Sequence, residues 1–185
     1  MVGMAVIREQ DIEKGRQAWA QWVEAARAQA ATVGIGRGNA ADFGVNGADR
    51  DTAAGGMGPA HGTDAAHTTN ATQDSTDVGE TAALSISPEL PRPVWAMAVR
   101  YTLFLLERRA PGPGVEVRVA PWGAIKILDG PASDPHNLTP PDVIELEPDV
   151  WLRLAAGITT WAQEKNAGHI TAVGERDDLS DLLPL

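Results

Sequence analysis

The chain has 185 residues, with 25 Asp and Glu against 15 Lys and Arg, a net charge of −10, and no cysteine. This acidic balance repels nucleic-acid backbones and anionic lipid surfaces. The absence of thiols excludes disulfides, thiolate metal sites and a cysteine nucleophile.

No segment is basic. Residues 1–31 carry four basic and four acidic groups, residues 32–88 two and seven, and residues 89–185 nine and fourteen. The start, Met1 to Ile7, lacks the basic flank and long apolar core of a signal peptide. The apolar run from Val94 to Leu106 is interrupted by Arg100 and falls short of the ~20 residues a membrane span needs. These features predict a cytoplasmic protein without a transmembrane segment and without nucleic-acid partners.

The first predicted element is a helix from about Arg8 to Ala30. Ile12, Gly15, Trp19, Trp22, Val23 and Ala26 recur at spacings of three and four and share one face. Glu9, Asp11 and Glu13 sit at its start, where they complement the helix dipole. Two tryptophans one turn apart on a lone helix would be poorly solvated, so residues 1–31 are expected to dock on the main domain.

Residues 32–88 are dominated by Gly, Ala, Asp, Thr and Asn and show no sustained period. Such a stretch cannot bury enough apolar area to offset ~1–2 kcal/mol per residue of backbone ordering entropy. It reads as a disordered low-complexity linker. His61 and His67 lie in it without the further ligands a metal site requires. Gly34 to Gly38 superficially resembles a phosphate loop but lacks the following Lys-Ser/Thr and a preceding strand.

Residues 89–185 form the expected folded domain. Pro91 and Pro93 mark a helix start and Pro111-Gly-Pro-Gly114 its end. Between them the apolar residues cover most of the circumference, so this helix must be covered on several sides. Val115, Val117 and Val119 alternate with Glu116 and Arg118 as a half-buried strand, and Trp122 to Leu128 pairs with it as a hairpin. A loop over Gly130 to Pro141 precedes a third strand, Val143 to Glu147. Pro148 opens a helix that stops at Gly157. Thr159 or Thr160 caps the next helix, with Glu164 considered for a capping box. Gly168 closes that helix, His169 to Val173 is a fourth strand, and Leu179 to Leu185 a closing apolar helix headed by Asp177 and Asp178. Hairpins dominate this order, so the fold class is α+β with a mainly antiparallel sheet and helices on one face.

Val99 to Pro121, Pro140 to Glu145, Trp151 to Gly157 and the closing Leu183-Pro184-Leu185 together resemble the bacterial (actinobacterial) sterol carrier protein-like family over nearly all of residues 89–185. The N-terminal Trp helix is similar to the family's leading helix, although the connection is usually much shorter. The resemblance implies the sterol carrier protein fold, a five-stranded sheet covered by helices around an apolar tunnel. The fifth strand would come from splitting Trp122 to Leu128 or from the 130s loop. It also implies a non-catalytic carrier of a fatty-acyl, sterol or other lipid-like small molecule, with no cofactor.

The candidate tunnel walls are Met97, Tyr101, Leu105, Ile125, Ile127, Trp151, Leu154 and Trp161. Ten methylenes buried in such a tunnel would contribute about 8 kcal/mol at ~0.8 kcal/mol each. His136, together with Arg118 or Arg153, is the candidate for an anionic head group at the pocket mouth, whereas His169 reads as a surface residue. Ser133 and Ser180 lack the sharp turn of a catalytic serine, so no catalytic or metal residue is assigned. The alternative is a protein-interaction or enzyme-accessory module whose pocket is filled by its own tryptophans.

Overall fold

A computed structural model describes residues 6–33, 79–130 and 142–185. The chain forms α1 (Ile12–Thr32), α2 (helical over residues 79–84), α3 (Arg92–Arg109), β1 (Pro111–Val119), β2 (Gly123–Ile127), β3 (Asp142–Leu146), α4 (Pro148–Ala155), α5 (Trp161–Asn166) and β4 (Ile170–Val173). Short 3-10 turns at Glu9–Asp11 and Ser180–Leu182 flank this series. The linker histidines His61 and His67, the bulk of the linker, and the loop holding Ser133 and His136 lie outside the described residues. No described helix is long and apolar enough to cross a membrane.

The strands form one sheet in the order β2-β1-β3-β4, antiparallel, parallel and antiparallel in turn. The expected five-stranded, mainly antiparallel sheet is therefore a mixed sheet of four strands among the described residues. The β1–β2 hairpin occupies one edge of β1. The returning chain must take the other edge and enters it in the same direction as β1. A parallel neighbour needs a connection of about a dozen residues or more, which residues 128–141 supply. β2 runs unbroken from Gly123 to Ile127, so it contributes no second strand.

Strand alternation divides the sheet faces as the sequence pattern requires. Val115, Val117, Val119, Ile125, Ile127, Ile144 and Leu146 are all buried. On the opposite face Glu116 stands across from Lys126, and Arg118 across from Glu145. Arg118 also bonds Glu116 Oε1 at 2.5 Å, and this hydrogen bond to the carboxylate raises the guanidinium's pKa further.

α3 is the central helix, touching β1 and β2, α1 and α4. Ala98, Val99, Thr102, Leu103 and Leu106 are buried along it. Thr102 shows how a hydroxyl is accommodated there. Its Oγ1 donates to the Ala98 and Val99 carbonyls at 2.9 and 3.0 Å and accepts from Trp151 Nε1 at 2.8 Å. Every polar group of that contact is paired, as burial demands.

α1 lies on α3 through Gly15, Ala18, Trp22 and Ala26. Gly15 permits the approach, because a Cβ there would stand 2.8 Å from Tyr101 Cβ. Trp22 is fully buried, stacked on Trp19 with centroids 5.7 Å apart and edge-on to Trp95 at the same distance. Its Nε1 has no hydrogen-bond partner among the described residues.

Residues 79–88, which the composition assigns to the linker, belong to the fold. Ala83 and Ile86 are buried, Ile86 at 1% exposure, and Ser87 N donates to Gln29 Oε1 on α1. Composition averages over a long polar window and hides two apolar residues that tertiary packing uses. The closing helix expected over Leu179 to Leu185 is only a 3-10 turn. Leu183, which precedes Pro184, is extended, as the ring of a following proline disfavours the helical region. Asp178 caps that turn through Ser180 N, while Asp177 pairs with Lys165 Nζ at 2.8 Å.

A buried ion pair joins these pieces. Arg153 on α4 donates through Nε and Nη2 to the two oxygens of Glu164 on α5, at 2.8 and 3.1 Å. Its Nη1 reaches Asp149 Oδ2 at 2.8 Å and the Ile86 carbonyl at 3.1 Å. Glu164 also accepts from Thr159 Oγ1 and faces His169 Nδ1, both at 2.7 Å. Arg153 and Glu164 are 1% and 0% exposed. Thus Glu164 serves the core rather than a capping box; the box at α5 is formed by Thr160 and Gln163. α4 and α5 each end in a Schellman turn, with Gly157 and Gly168 at positive φ.

Burial pushes the Glu164 carboxyl up, and hydrogen bonds from Arg153, Thr159 and His169 outweigh it, leaving the pKa below its ordinary value. A carboxyl depressed on folding contributes stability that is present above its unfolded pKa. That contribution is lost as pH falls through the lower folded value. Acid titration monitored by circular dichroism is therefore expected to show loss of structure below about pH 4, with a shallower pH dependence in Glu164→Gln. Glu164→Ala leaves Arg153 buried without its main partner and is expected to cost about 3–5 kcal/mol in urea unfolding. Ile86→Ala is expected to cost about 2–5 kcal/mol, while Val33→Ala, at an exposed position, serves as a near-neutral control.

Candidate functional site

The described part of the chain opens with Val6 and Ile7, which are wedged against the helices and the hairpin. Ile7 is 5% exposed. A Cβ on Gly15 would stand 2.8 Å from Ile7 Cδ1, and one on Gly123 2.8 Å from Val6 Cγ2 and 3.0 Å from Leu103 Cδ1. Two glycines, one on α1 and one at the start of β2, therefore make the seat for this segment.

A cleft of about 640 Å³ lies beside it, lined by Val6, Ile7, Arg8, Asp11, Met97, Arg100, Trp122, Gly123 and Ala124. Three parts of the chain meet there: the N-terminal segment, the middle of α3 and the β1–β2 turn. Trp122 is held on its inner side by Trp95, with stacked rings 6.2 Å apart. Trp19, Trp22, Trp95 and Trp122 thus form a continuous aromatic row from α1 to the cleft. Arg100 Nε donates to the Trp122 carbonyl at 3.0 Å, which fixes the turn against α3.

The charges of the cleft are unequal. Asp11 is bonded by Lys14 Nζ at 3.1 Å. Neither Arg8 nor Arg100 has a carboxylate partner among the described residues. In a chain with a net charge of −10, this is a local cationic edge on an apolar hollow.

A second hollow of about 310 Å³ lies at the C-terminal end of α4, lined by Leu154, Gly157, Thr159, Thr160, Trp161, Ser180, Leu183 and Pro184. The C-terminal segment closes it: Arg109 Nη1 donates to the Leu182 and Pro184 carbonyls at 3.0 and 2.8 Å, and Leu185 N bonds the Ala155 carbonyl at 3.0 Å. Trp161 Nε1 is buried without a hydrogen-bond partner among the described residues.

The structure does not bring the eight predicted wall residues together. Met97 lines the first cleft, and Leu154 and Trp161 line the second hollow. Ile125, Ile127 and Trp151 are 4%, 0% and 0% exposed and pack in the hydrophobic core. Tyr101 and Leu105 are half-buried on α3 and line neither cavity. The structure groups Met97 with Arg100, one turn along α3, and with Val6, Ile7, Arg8, Trp122 and Ala124 from segments far apart in sequence. Only Trp122, a large aromatic beside a turn glycine, carried a signal that could have marked the spot.

The head-group candidates fare differently. Arg153 is buried with its donors engaged by Glu164, Asp149 and Ile86, so it does not reach a pocket mouth. Arg118 is on the outer sheet face with Glu116. His169 is about two-fifths exposed, and its Nδ1 faces the Glu164 carboxylate. Among the described residues no cluster of three or more His, Asp or Glu is arranged to hold a metal ion.

At the start of β3, Asp142 is 5% exposed and accepts from Glu175 N at 2.7 Å and Arg176 Nε at 2.9 Å. Arg176 also bonds the Asp129 and Gly114 carbonyls. Burial raises the Asp142 pKa, but the Glu175 amide and Arg176 more than offset it, and the net direction is down. This cluster fastens β1, β3 and the chain after β4, and it is structural.

No curated protein matches the chain. A family model described as bacterial SCP ortholog matches residues 91–185, just over half of the chain, and the protein belongs to that family.

Proposed function

We propose that the protein is a non-catalytic carrier of an apolar, lipid-like small molecule of the fatty-acyl or sterol-like type. Membership of the SCP family supports a lipid-binding role. The observation that carries the reading to a place is the cleft beside Met97 and Trp122. Its volume of about 640 Å³ falls within the range of about 300–1,000 Å³ common to small-molecule sites. Val6, Ile7, Met97, Trp122 and Ala124 give it an apolar lining. Six methylenes buried there would contribute about 5 kcal/mol, before the cost of ordering the ligand. Two guanidiniums and a lysine-paired carboxylate suit orientation of a ligand rather than nucleophilic or proton-transfer work. On this reading residues 1–31 complete the carrier domain of residues 89–185, and the protein acts in the cytoplasm.

One observation favours a second reading, an interaction or enzyme-accessory module with a filled pocket. Five of the expected wall residues, Ile125, Ile127, Trp151, Leu154 and Trp161, are less than one-twentieth exposed, so the interior is largely filled by the protein's own side chains.

Native mass spectrometry after gentle purification is expected to show a bound species of lipid-like mass that is lost on denaturation. The stripped protein is expected to take up a fluorescent fatty-acyl or sterol probe. Ala124→Trp, which fills the cleft from an exposed position, is expected to weaken that uptake at least about tenfold without lowering the melting temperature. Protein free of any small molecule that takes up neither probe would replace the carrier reading with the filled-pocket module.

A further inference from the structure

We infer that the cleft selects an amphiphile with a compact anionic head, a carboxylate or a phosphate monoester, and that Arg8 and Arg100 are the selecting residues. This rests on the carrier reading of the same cleft. An apolar ligand alone would be served by Val6, Met97 and Trp122, and on binding it would displace water from the Arg8 and Arg100 guanidiniums without replacing those hydrogen bonds. An anionic head replaces that water, because guanidinium groups bind carboxylate and phosphate with directed, charge-assisted hydrogen bonds.

Three features make the pair a recognition device rather than surface charge. Both arginines line one cavity. Arg100 is fixed by its Nε bond to the Trp122 carbonyl, so its position is set by the same turn that presents the indole ring. The one carboxylate in the lining, Asp11, is already engaged by Lys14, so it does not neutralise them. Arg8 and Val6 lie outside the family match over residues 91–185 and Arg100 lies within it, so head-group selection on this reading needs the N-terminal segment and the matched domain together.

The geometry also sets the order of the ligand's parts. Trp122 and Met97 take the apolar body, with Trp95 backing the indole, and the head lies toward Arg8 and Arg100. Because the cleft opens to solvent, the attraction is screened by salt over roughly 10 Å at 0.1 M, so the preference for an anion shrinks as salt rises.

The test uses the full chain and three probes with the same ten-carbon tail: decanoate, decyl phosphate and decanol, each titrated calorimetrically at pH 7.5. The wild-type protein is expected to prefer at least one of the anions over decanol by about tenfold or more, and which anion is preferred identifies the head. Arg8→Gln and Arg8→Glu are expected to reduce that ratio, the latter further. Arg8 is exposed and makes no side-chain hydrogen bond among the described residues, so these variants retain the fold where a substitution at Arg100 would release the Trp122 turn. Equal binding of all three probes, or a ratio unchanged in both variants, overturns head-group selection and leaves the apolar carrier standing. Binding of none of the three overturns both.

Discussion

The buried pair between Arg153 and Glu164 is the contact on which the arrangement of the domain depends. An isolated guanidinium or carboxylate in that position would cost several kcal/mol to desolvate. Here the carboxylate receives both guanidinium arms, a threonine hydroxyl and an imidazole, while the remaining arm takes Asp149 and the Ile86 carbonyl. One cluster thereby registers α4 against α5, the start of β4 and the chain after α2. Such a cluster adds little net stability over an apolar replacement. Its partners lie on several separate segments, so a packing that parts any of them leaves a buried polar group without its hydrogen bond.

A second constraint acts between α1 and α3, where small and large residues are matched. Gly15 brings the helix axes close, and Trp22 fills the space one step further along, between Trp19 and Trp95. The aromatic row that begins there ends at Trp122 in the cleft wall. The docking of α1 and the existence of the cleft are therefore one event, since Val6 and Ile7 reach the β1–β2 turn only because α1 is seated. Residues outside the family-matched segment supply one wall of the cavity. The shared domain supplies Met97, Arg100, Trp122, Gly123 and Ala124, and the N-terminal segment supplies Val6, Ile7, Arg8 and Asp11. A fold shared by a family leaves the ligand open, because specificity lies in the side chains set around a cavity. In this chain those side chains form an apolar hollow with a cationic edge.

Periodicity, proline and glycine were sufficient to read α1, α3, the β1–β2 hairpin, β3, α4, α5 and β4 from the amino-acid sequence, because each of those signals acts within a few residues of where it is written. The same local reading assigned Ile86 to a linker, made a helix of Leu179 to Leu185, and offered Arg153 to a ligand and Glu164 to a capping box. In each of these cases the deciding partner lies elsewhere in the chain. Ile86 is covered by tertiary packing, and Arg153 and Glu164 are paired across eleven residues. β3 joins β1 rather than extending a meander, since the hairpin has already taken the other edge.

By itself, then, the sequence determined the types of α1, α3, α4, α5 and the four strands, the acidic and cysteine-free character and the family resemblance of residues 89–185, all of which follow from local pattern and composition. Only the tertiary structure decided that the predicted wall residues are scattered over a packed core, two hollows and the half-buried side of α3, and that Arg8, Arg100 and Trp122 share one cleft. Residues this far apart in sequence carry no mark of their proximity, because what brings them together is the close approach of α1 to α3 and of Val6 to Gly123.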